Sequence, residues 1–462
     1  MIPIVTPVEM AAIDAAAPEP LDELIARAAA AVAAAAADLL AERYGARRYG
    51  RRILAVAGKG NNGTDGRVAA DLLRRQGLRA DVVDAAGPVP PGLIARADLV
   101  IDAAYGTGFR GQYAAPEVGD TPVLAVDIPS GVDGLTGAAA DGAVVADRTI
   151  TFAALKPGLI LDPGRRRAGE VTVADIGLDC GRARAWLCQA DDLRRSWPAP
   201  ATTTHKWRRA VWVIGGAPTM VGAPALAVAA AFRSGAGYGA VSSPGLAAAG
   251  PPLPTEAVLR PLPATGWADT VAADHGRFGA LVVGPGLLPG SATEAEVGSL
   301  ITATAQVPLV LDGGALDAAR AHTAALGGRT VPAVLTPHDG EAARLLGRPV
   351  AGDRLAVARE LAAELGAVVA LKGPTTVAAH PDGRVLVSTA GDERLATAGT
   401  GDVLAGTIGA GLAAGLDPLS ATGLGAELHG RAARRGRFRG FAAGDLPDLV
   451  ADWLDDAGEE GR

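Results

Sequence analysis

The chain has 462 residues, of which 49% are hydrophobic and 4% aromatic, and its formal net charge is −7. At about 150 residues per domain this length corresponds to two or three domains, and we expect two, with cores of small aliphatic side chains. The acidic balance argues against a general nucleic-acid binder, because such binding depends on cationic neutralisation of phosphates. The two cysteines, Cys180 and Cys188, exclude a disulfide framework and a zinc-ligand set, which favours the cytoplasm.

The segment 21–44 carries apolar residues at mostly helical spacing, which predicts an amphipathic helix packed on a sheet. Its alanine-rich part, 28–37, is too short and too closely flanked by charge to span a bilayer, so we expect no membrane anchor. Short apolar runs then alternate with a helical segment, 67–76, which indicates parallel βαβ units. The predicted strands are 53–57, 81–84, 98–102 and 123–128.

The alternation stops between residues 186 and 209, where a Pro- and Thr-rich stretch has no apolar periodicity. We place the domain boundary there, with one domain over 1–195 and the other over 203–458. Beyond it, strand-like runs again alternate with alanine-rich helices, so the fold class is α/β in both halves. These runs are 211–215, 280–284, 308–312, 333–336 and 367–372.

In the first half, the run 58–66 (GKGNNGTDG) lies between a predicted strand and a predicted helix. Glycines there let backbone amides approach phosphate, and a helix N-terminus favours an anion; an ordinary βα turn is the structural alternative. Asp102 follows one strand, and Asp127 and Ser130 follow another; either aspartate alone would more often cap a turn. Because carboxyl ends of parallel strands meet at one edge, we expect these groups and Asn62 to share a crevice suited to a hard cation.

Four segments, GKGNNGTDG, DAAYGTGFRG, DIPSGVDG and TFAALKPG, occur in an order and spacing that resemble the NAD(P)H-hydrate epimerase family, over roughly residues 1–190. The resemblance implies a Rossmann-like three-layer sandwich that binds a hydrated nicotinamide nucleotide and a potassium ion. It implies potassium ligands at Asn62, Asp102 and Ser130 and a catalytic Asp127. The implied substrate contacts are Asn61, Asn62, Gly63, Thr64, Asp65, Gly106, Thr107, Gly108, Phe109, Arg110, Gly111, Gln112 and Asp127, of which Thr64 departs from the family's glycine.

The sharpest pattern in the second half is 398–406 (AGTGDVLAG), which opens a long helix of small residues. The amides of the GTG turn and the helix dipole form an anion hole, and Asp402 is placed to take a proton from a hydroxyl near a bound phosphate. A helix cap by Asp402 is the structural alternative. Upstream, 371–376 (LKGPTT) offers a cation and hydroxyls, and His338 begins a helix, although a lone histidine is more often structural.

In this order, the loops resemble the ADP-dependent NAD(P)H-hydrate dehydratase family, a branch of the ribokinase-like three-layer α/β fold, over about residues 200–455. The resemblance implies that the hydroxyl of the hydrate is phosphorylated and eliminated, with Asp402 as the base. It implies substrate contacts at Ala223, Gly286, His338 and Asp402, with magnesium expected alongside the nucleotide. The implied contacts of ADP or ATP are Lys372, Gly373, Pro374, Thr375, Thr376 and Gly401.

Together the two resemblances predict a bifunctional isomerase and hydro-lyase that repairs hydrated NADH and NADPH. We expect it to act on these small molecules and ADP, without nucleic acid or membrane, in the cytoplasm and as a homo-oligomer. A ribokinase-like kinase that phosphorylates a vitamin precursor remains an alternative function, because the GTGD turn would serve that reaction too. Such a kinase, however, has no need of the first half of the chain. A non-catalytic nucleotide sensor would fit departures from the family at Ala217, Gly314 and Asp392, although the retained Asp402 argues against it.

Overall fold

The computed structural model describes residues 1–45, 49–109, 111, 113–200, 204–246 and 253–459. The chain divides into two compact units, Ile2–Arg184 and Ala185–Arg462, called here the N-terminal and the C-terminal unit. The division falls earlier in the chain than the sequence boundary, because Cys188 and Leu193 pack into the core of the C-terminal unit. The stretch without apolar periodicity therefore contains a short strand and a helix that belong to the second unit.

The N-terminal unit is built around a parallel sheet. Besides the short strand β1 (Ile2–Ile4), which lies outside this sheet, the unit contains the strands β2 (Arg52–Ala57), β3 (Arg79–Asp84), β4 (Leu99–Ala103), β5 (Val123–Val126), β6 (Arg148–Phe152) and β7 (Glu170–Ala174). Its α-helices are α1 (Pro7–Ala16), α2 (Leu21–Tyr44), α3 (Asn61–Arg75), α4 (Pro91–Ile94) and α5 (Gly164–Ala168). The sheet has the order β3-β2-β4-β5-β6-β7, so the strand order reverses between β2 and β4. Ligands of open parallel sheets bind at such a reversal.

Helices α2 and α3 cover one face of this sheet, while α4 and loop segments cover the other. The buried residues of α2 are alanines together with Leu24, Val32, Leu39 and Leu40, and the small alanine side chains let the helix lie close to the strands. Among the described residues, α2 alone is long and apolar enough to cross a membrane by length and composition. Of its apolar window, however, 56% is buried inside the unit, which is typical of a core helix.

The C-terminal unit repeats the α/β arrangement with a larger sheet. Its strands are β8 (Ala185–Leu187), β9 (Ala210–Ile214), β10 (Tyr238–Ser242), β11 (Val258–Leu259), β12 (Ala280–Val283), β13 (Leu309–Leu311), β14 (Val334–Leu335), β15 (Val368–Leu371), β16 (Thr376–Ala379) and β17 (Val385–Ser388). Its α-helices are α6 (Ala190–Ser196), α7 (Gly222–Arg233), α8 (Trp267–Asp274), α9 (Ser291–Ala303), α10 (Asp317–Ala321), α11 (Thr323–Gly327), α12 (Asp339–Leu346), α13 (Arg354–Leu365), α14 (Thr400–Ala413), α15 (Pro418–Arg435) and α16 (Leu446–Glu459).

The strands of this unit lie in the order β8-β17-β16-β15-β14-β13-β12-β9-β10-β11. Pairing is parallel from β15 to β11, whereas β16 is antiparallel to both of its neighbours. Helices α7, α14 and α15 cover one face, and side chains on both faces are fully buried, for example Leu281 and Val282. A Cβ atom added to Gly406 would lie 2.0 Å from the carbonyl oxygen of Ala227, so α14 packs directly against the backbone of α7.

One helix boundary differs from the sequence prediction. Helix α3 begins at Asn61, six positions before the predicted segment 67–76, so the run NNGTDG is helical rather than a loop. Gly and Asn have low helix propensity, which is why the sequence hides this first part. Tertiary packing supplies the reason for the glycines: a Cβ atom on Gly66 would lie 2.5 Å from the Cβ atom of Ala103 in β4.

Candidate active sites

The glycine turn between β2 and α3 contacts the residues that follow β4. A Cβ atom added to Gly58 would lie 1.9 Å from the carbonyl oxygen of Ala104, and one added to Gly63 would lie 1.9 Å from the carbonyl oxygen of Gly58. Neither position accepts a side chain, since both clashes are with backbone atoms. The first turn of α3 therefore lies directly beside the ends of β2 and β4, where the strand order reverses.

Asn62 has a side chain whose polar atoms lack partners among the described residues. Both Oδ1 and Nδ2 are buried, and neither makes a hydrogen bond. A Cβ atom added to Gly106 would lie 3.5 Å from Cγ of Asn62 and 3.3 Å from Oδ2 of Asp127, so the amide faces the loop after β4. An unpaired buried amide costs free energy, and a bound cation or substrate would remove that cost.

Asp102 at the end of β4 and Ser130 after β5 form one buried network. The Ser130 hydroxyl donates to Oδ1 of Asp102 at 2.7 Å, and the Ser130 amide donates to Oδ2 at 2.8 Å. The amide of Tyr105 donates to the Ser130 hydroxyl at 2.9 Å, and the next residue, Gly106, is the one that faces Asn62. Burial raises the pKa of Asp102 to about 6, although hydrogen bonds from Ser130 and a backbone amide lower it.

These residues fit the predicted potassium ion by their chemistry. Asn62, Asp102 and Ser130 supply an amide oxygen, a carboxylate and a hydroxyl, which are hard oxygen donors. In the part of the chain that the structure describes, no group of three or more His, Cys, Asp or Glu residues is placed to hold a metal ion. The predicted cation site would therefore rest on a mixed oxygen set with a single carboxylate.

Asp127 follows β5 with a φ of 65°, a conformation that is uncommon for residues other than glycine. The ammonium of Lys156 lies 2.8 Å from its Oδ1 atom, and the hydroxyl of Thr151 donates to the same oxygen at 3.0 Å. The amide of Thr107 approaches Oδ2 at 3.4 Å. Burial raises the pKa of Asp127, but Lys156 and the hydrogen bonds outweigh burial, so its pKa lies below the ordinary value.

Asp65 on α3 has the opposite electrostatic environment. Burial, together with the charge of Asp127, raises the pKa of Asp65 to about 7. On α1, burial also raises the pKa of Asp14, against the lowering effect of Lys156. Carboxyl groups with different proton affinities therefore face one site, which is the arrangement that an acid and a base require.

The groups of this site line a cavity of about 710 Å³ at the carboxyl edge of the sheet. Gly63, Thr64 and Gly111 are not among the residues that line it, and their contact with substrate stays a prediction: Gly63 packs on Gly58, and the Thr64 hydroxyl donates to the Gly60 carbonyl at 3.3 Å. Asp102 and Ser130 lie behind its wall, and Arg110 and Gln112 lie outside the described residues. The predicted contacts that do line it are Asn61, Asn62, Asp65, Gly106, Thr107, Gly108, Phe109 and Asp127.

The charged residues of the wall that the sequence analysis did not single out are Asp14, Glu19 and Asp84, and Lys156 lines the wall as well. The segment TFAALKPG contains Lys156, so the signal for it was present in a motif already noted. Asp14 and Asp84 carry no local signal, because only the fold brings α1 and the end of β3 to this cavity.

In the C-terminal unit, the predicted loops follow neighbouring parallel strands and meet at one sheet edge. Gly284 and Gly286, after β12, have φ values of 119° and 70°. A Cβ atom on Gly286 would lie 3.0 Å from the Cβ atom of Ala223 at the start of α7, so two predicted substrate contacts are neighbours. The parallel strands β9 to β15 all have their carboxyl ends at this edge.

Lys372, directly after β15, lies in a cluster of carboxylates. Its Nζ atom is 3.0 Å from Oδ1 of Asp312 and 3.9 Å from Oε2 of Glu341. The hydroxyl of Thr336 donates to the same Asp312 oxygen at 2.6 Å. Burial lowers the pKa of Lys372, but the carboxylates outweigh burial and leave the pKa above its ordinary value. The sequence analysis gave Asp312 and Glu341 no role, although Asp312 ends a predicted strand.

Asp402 lies in the first turn of α14, which begins after Gly399 with a φ of 96°. A Cβ atom on Gly401 would lie 3.3 Å from Nζ of Lys372, so the fold brings these two predicted nucleotide contacts together. Burial and the charge of Asp312 raise the pKa of Asp402 to about 7, while Lys372 lowers it. A carboxyl group that exchanges its proton near neutral pH thus lies beside a fixed cation, as a general base near phosphate requires.

Residues behind the GTGD turn hold it in place. The Nε2 atom of His429 on α15 lies 2.9 Å from the carbonyl oxygen of Thr400. Burial lowers the pKa of His429 to about 4, so the ring is neutral and donates this hydrogen bond. The Thr400 hydroxyl donates to the carbonyl oxygen of Leu395 at 2.8 Å.

The neighbouring predicted residues have structural contacts of their own. Nδ1 of His338 accepts hydrogen bonds from the amides of Gly340 and Glu341 at 3.0 and 3.4 Å, so the histidine caps α12. Its ring is otherwise exposed, and contact with substrate stays a prediction. Arg354 donates to the carbonyl oxygen of Lys372 at 2.6 Å, which fixes the turn that leads through Gly373, Pro374 and Thr375 to Thr376 in β16.

Two departures from the family pattern have a physical reason in this backbone. A Cβ atom on Gly314 would lie 2.1 Å from the carbonyl oxygen of Leu287, so no aspartate fits there. Asp392 accepts a hydrogen bond from the Arg394 amide at 3.0 Å and forms an ion pair with its guanidinium, which stabilises the turn before α14.

Comparison with known proteins agrees with this two-unit arrangement. Residues 211–454 match the family model described as NAD(P)H-hydrate dehydratase, and residues 21–91 and 84–158 match the model of the YjeF-related protein N-terminus. The bifunctional NAD(P)H-hydrate repair enzyme Nnr of Mycobacterium tuberculosis (strain ATCC 25618 / H37Rv) is 38% identical over 396 residues, which cover 79% of this chain and 80% of the relative. The chain belongs to the bifunctional NAD(P)H-hydrate repair enzyme family.

Two further comparisons extend over the same regions. The Nnr enzyme of Moorella thermoacetica (strain ATCC 39073 / JCM 9320) is 37% identical over 471 residues, covering 89% of this chain and 88% of the relative. A ribokinase-like superfamily protein from Enterococcus faecalis V583 has a TM-score of 0.51 at 24% identity, over 60% of this chain and 97% of that chain. The predicted ribokinase-like fold and the predicted fusion of an epimerase with a dehydratase are thereby confirmed.

Proposed function

We propose that the N-terminal unit interconverts the R and S hydrates of NADH and NADPH, and that the C-terminal unit uses ADP, or ATP, to dehydrate the S hydrate. The observation that carries the proposal is the pair of separate charge clusters, one at the carboxyl edge of each sheet. In each, the pKa of one carboxyl group is raised to about 7 by burial and by the charge of an aspartate, and that aspartate is ion-paired with a lysine.

In the N-terminal unit, we assign the hydrated nicotinamide to the end of the cavity lined by Asn62 and Asp127. Asp127, held as a carboxylate by Lys156, is the proposed base, and Asp65 is suited to hold the proton that epimerisation moves. Potassium would be held by Asn62, Asp102 and Ser130, where its charge would orient polar atoms of the substrate. Support for this set comes from the orphaned Asn62 amide and the Asp102–Ser130 network.

In the C-terminal unit, we assign the base to Asp402. It takes the proton of the hydrate hydroxyl, whose oxygen attacks the terminal phosphorus of ADP as AMP leaves. The C–O bond then breaks as a proton leaves the neighbouring carbon, which restores the nicotinamide double bond and releases phosphate. Lys372 and the amides of the turn at Gly401 neutralise charge on the transferring group.

The substrate contacts proposed in this unit are Ala223, Gly286 and His338, and the nucleotide contacts are those of the turn 372–376 and Gly401. Magnesium is expected with the phosphates, because Mg²⁺ keeps several waters and binds nucleotides through phosphate oxygens. We assign the epimerase to Ile2–Arg184 and the dehydratase to Ala185–Arg462, in place of the predicted ranges 1–195 and 203–458, in a cytoplasmic homo-oligomer that binds neither nucleic acid nor membrane.

The rival in the C-terminal unit is a small-molecule kinase, because Lys372 and Asp402 beside an anion-binding turn suit phosphoryl transfer to a stable alcohol as well. The two functions differ in the fate of the phosphate ester, which a kinase releases and a dehydratase eliminates. A nucleotide sensor without turnover would leave both hydrates unchanged.

The test uses the whole protein with a mixture of R and S hydrated NADH, followed by absorbance of the reduced nicotinamide and by chromatography of the two hydrates. With ADP present, we expect the full amount of NADH to reappear. Without ADP, absorbance should stay constant while the R-to-S ratio still relaxes. If NADH recovery stops at the amount of S hydrate initially present, the epimerase function is contradicted. A stable phosphorylated product would favour the kinase.

A further inference from the structure

Asp84 is the last residue of β3 and lies opposite Ala57, the residue that precedes the glycine turn. Its side chain lines the cavity of the N-terminal unit. The amide of Ala86 donates to Oδ1 of Asp84 at 2.8 Å, which fixes the carboxylate at the end of the strand. Asp84 is exposed to solvent, so its carboxylate is accessible to a ligand in the cavity.

The cavity runs across four neighbouring strands in the order β3-β2-β4-β5. Adjacent strands lie about 4.8 Å apart, so β3 and β5 are separated by about 14 Å, which is enough for an extended dinucleotide. Its nicotinamide end is assigned to Asp127 after β5, and the N-terminus of α3 after β2 lies between the two ends and suits the pyrophosphate. The adenosine ribose then falls beside Asp84.

The charge of the cavity wall also distinguishes the two hydrates. Among the described residues, its cations are Lys59 and Lys156, and Lys156 is already paired with Asp127. Its acidic residues are Asp14, Glu19, Asp65, Asp84 and Asp127. A 2′-phosphate adds a charge of about −1.5 to −2 and replaces the hydroxyl that would donate a hydrogen bond to the carboxylate. Hydrated NADPH is therefore disfavoured beside Asp84.

We propose that Asp84 binds the 2′-hydroxyl of the adenosine ribose and makes the N-terminal unit prefer hydrated NADH to hydrated NADPH. The proposal rests on the epimerase function assigned above. Repulsion between the Asp84 carboxylate and a 2′-phosphate about 4 Å away in a solvated site should lower the affinity for hydrated NADPH by about a factor of ten. We therefore expect kcat/KM to be about tenfold higher for hydrated NADH. The difference should appear in KM, because the 2′ position is remote from the reacting carbon.

The test compares epimerisation of R hydrated NADH and R hydrated NADPH by the whole protein, without ADP, in the wild type and in Asp84→Asn. We expect the variant to lose most of the preference by gaining efficiency on hydrated NADPH, with kcat nearly unchanged for both. Asp81→Asn is the matched control, since Asp81 is an exposed aspartate on the same strand that does not line the cavity. Glu19→Gln removes a charge from another part of the wall.

Equal efficiency of the wild type on both hydrates would overturn the proposal, as would a preference that survives in Asp84→Asn or an equal loss in Glu19→Gln. Binding of NAD⁺ and NADP⁺, measured by calorimetry, keeps the test independent of turnover. If the protein does not epimerise either hydrate, the epimerase function is contradicted. If the ratio of the NAD⁺ and NADP⁺ dissociation constants nevertheless changes in Asp84→Asn, the role of Asp84 is supported. A ratio that does not change would overturn that role.

Discussion

Asp65 and Asp402 occupy similar positions in the two units, each in the first turns of a helix that follows a glycine turn at a sheet edge. Burial raises the pKa of each to about 7. Each also interacts with the charge of an aspartate that is ion-paired with a lysine, Asp127 in one unit and Asp312 in the other. Acid–base chemistry near neutral pH therefore depends, in both units, on a few buried residues that can be changed one at a time.

Replacement of Asp402 by asparagine should lower dehydration by about 10²- to 10⁴-fold, the usual contribution of a general base, and leave epimerisation intact. Asparagine keeps the size of the side chain, so α14 and nucleotide binding should survive. Steady-state rates of NADH recovery measure the effect, with the exposed Asp269→Asn as control. An unchanged rate would assign the base to another residue.

The same carboxyl group should set the acid limb of the dehydratase. Because Asp402 acts as a base only when it is deprotonated and its pKa is about 7, kcat/KM should rise as the pH increases through 7 and fall below it. Because the pKa of Asp402 is higher in the folded than in the unfolded protein, the folded state binds an extra proton between about pH 4 and pH 7. The free energy of unfolding should therefore decrease as the pH rises through this range. Asp402→Asn should remove this decline, which thermal unfolding at several pH values would detect.

Lys156→Met should destabilise the N-terminal unit, because it leaves the carboxylate of Asp127 buried without its cation. Removing one partner of a buried ion pair typically costs about 3–5 kcal/mol in the free energy of unfolding. Denaturant unfolding provides the measurement, and the exposed Lys59→Met should change it by less than about 0.5 kcal/mol. Equal stability of both variants would show that the Lys156–Asp127 pair contributes little.

Asp102→Asn tests the proposed potassium site. The amide preserves an acceptor for Ser130 but removes the charge of the cation site, so activation of the epimerase by potassium should be lost while dehydration of the S hydrate continues. Epimerisation is measured against potassium concentration at constant ionic strength. If the variant retains the potassium response of the wild type, the ion is bound elsewhere.

At the scale of the element, α3 depends on glycine where its first turn meets β2. Gly63→Ala would place Cβ 1.9 Å from a backbone oxygen, so α3 must shift and the cavity must open. We expect loss of epimerisation, with dehydration unaffected, in parallel assays of one preparation. Gly60→Ala is the matched control, because Gly60 has a φ of −82° and nothing within 4 Å of an added Cβ atom. Equal activity of both variants would mean that α3 tolerates displacement.

At the scale of the whole molecule, the two compact units should function separately. Fragments Ile2–Arg184 and Ala185–Arg462 each contain a complete sheet-edge cluster, so we expect each to fold and to retain one activity. Circular dichroism and the two assays test this, with the intact chain as reference. A break after residue 195 should give a poorer C-terminal fragment, because it removes Leu193 from its core. Failure of both fragments to unfold cooperatively would mean that the units depend on each other.

The sequence by itself determined the fold class of this protein and indicated most of the candidate site residues. Alternating apolar runs predicted parallel strands, and polar residues after those runs predicted the sheet-edge sites, because parallel strands all point their carboxyl ends one way. Asn62, Asp127 and Lys372 were predicted in this manner, and Asp402 was predicted from the glycine turn that opens α14. Local propensity misplaced the start of α3, since glycines that look like a loop serve tertiary packing against β2 and β4.

Tertiary structure alone decided which charges meet and how they titrate. Asp312 lies 60 positions from Lys372, and Asp14 and Asp84 reach the cavity wall from separate elements, so no local pattern marks them. The pKa values of Asp65 and Asp402 follow from burial and from neighbouring aspartates, which exist only once the sheet edges assemble. Residue type and spacing specify what a site contains, but desolvation and distance between remote segments determine its electrostatics.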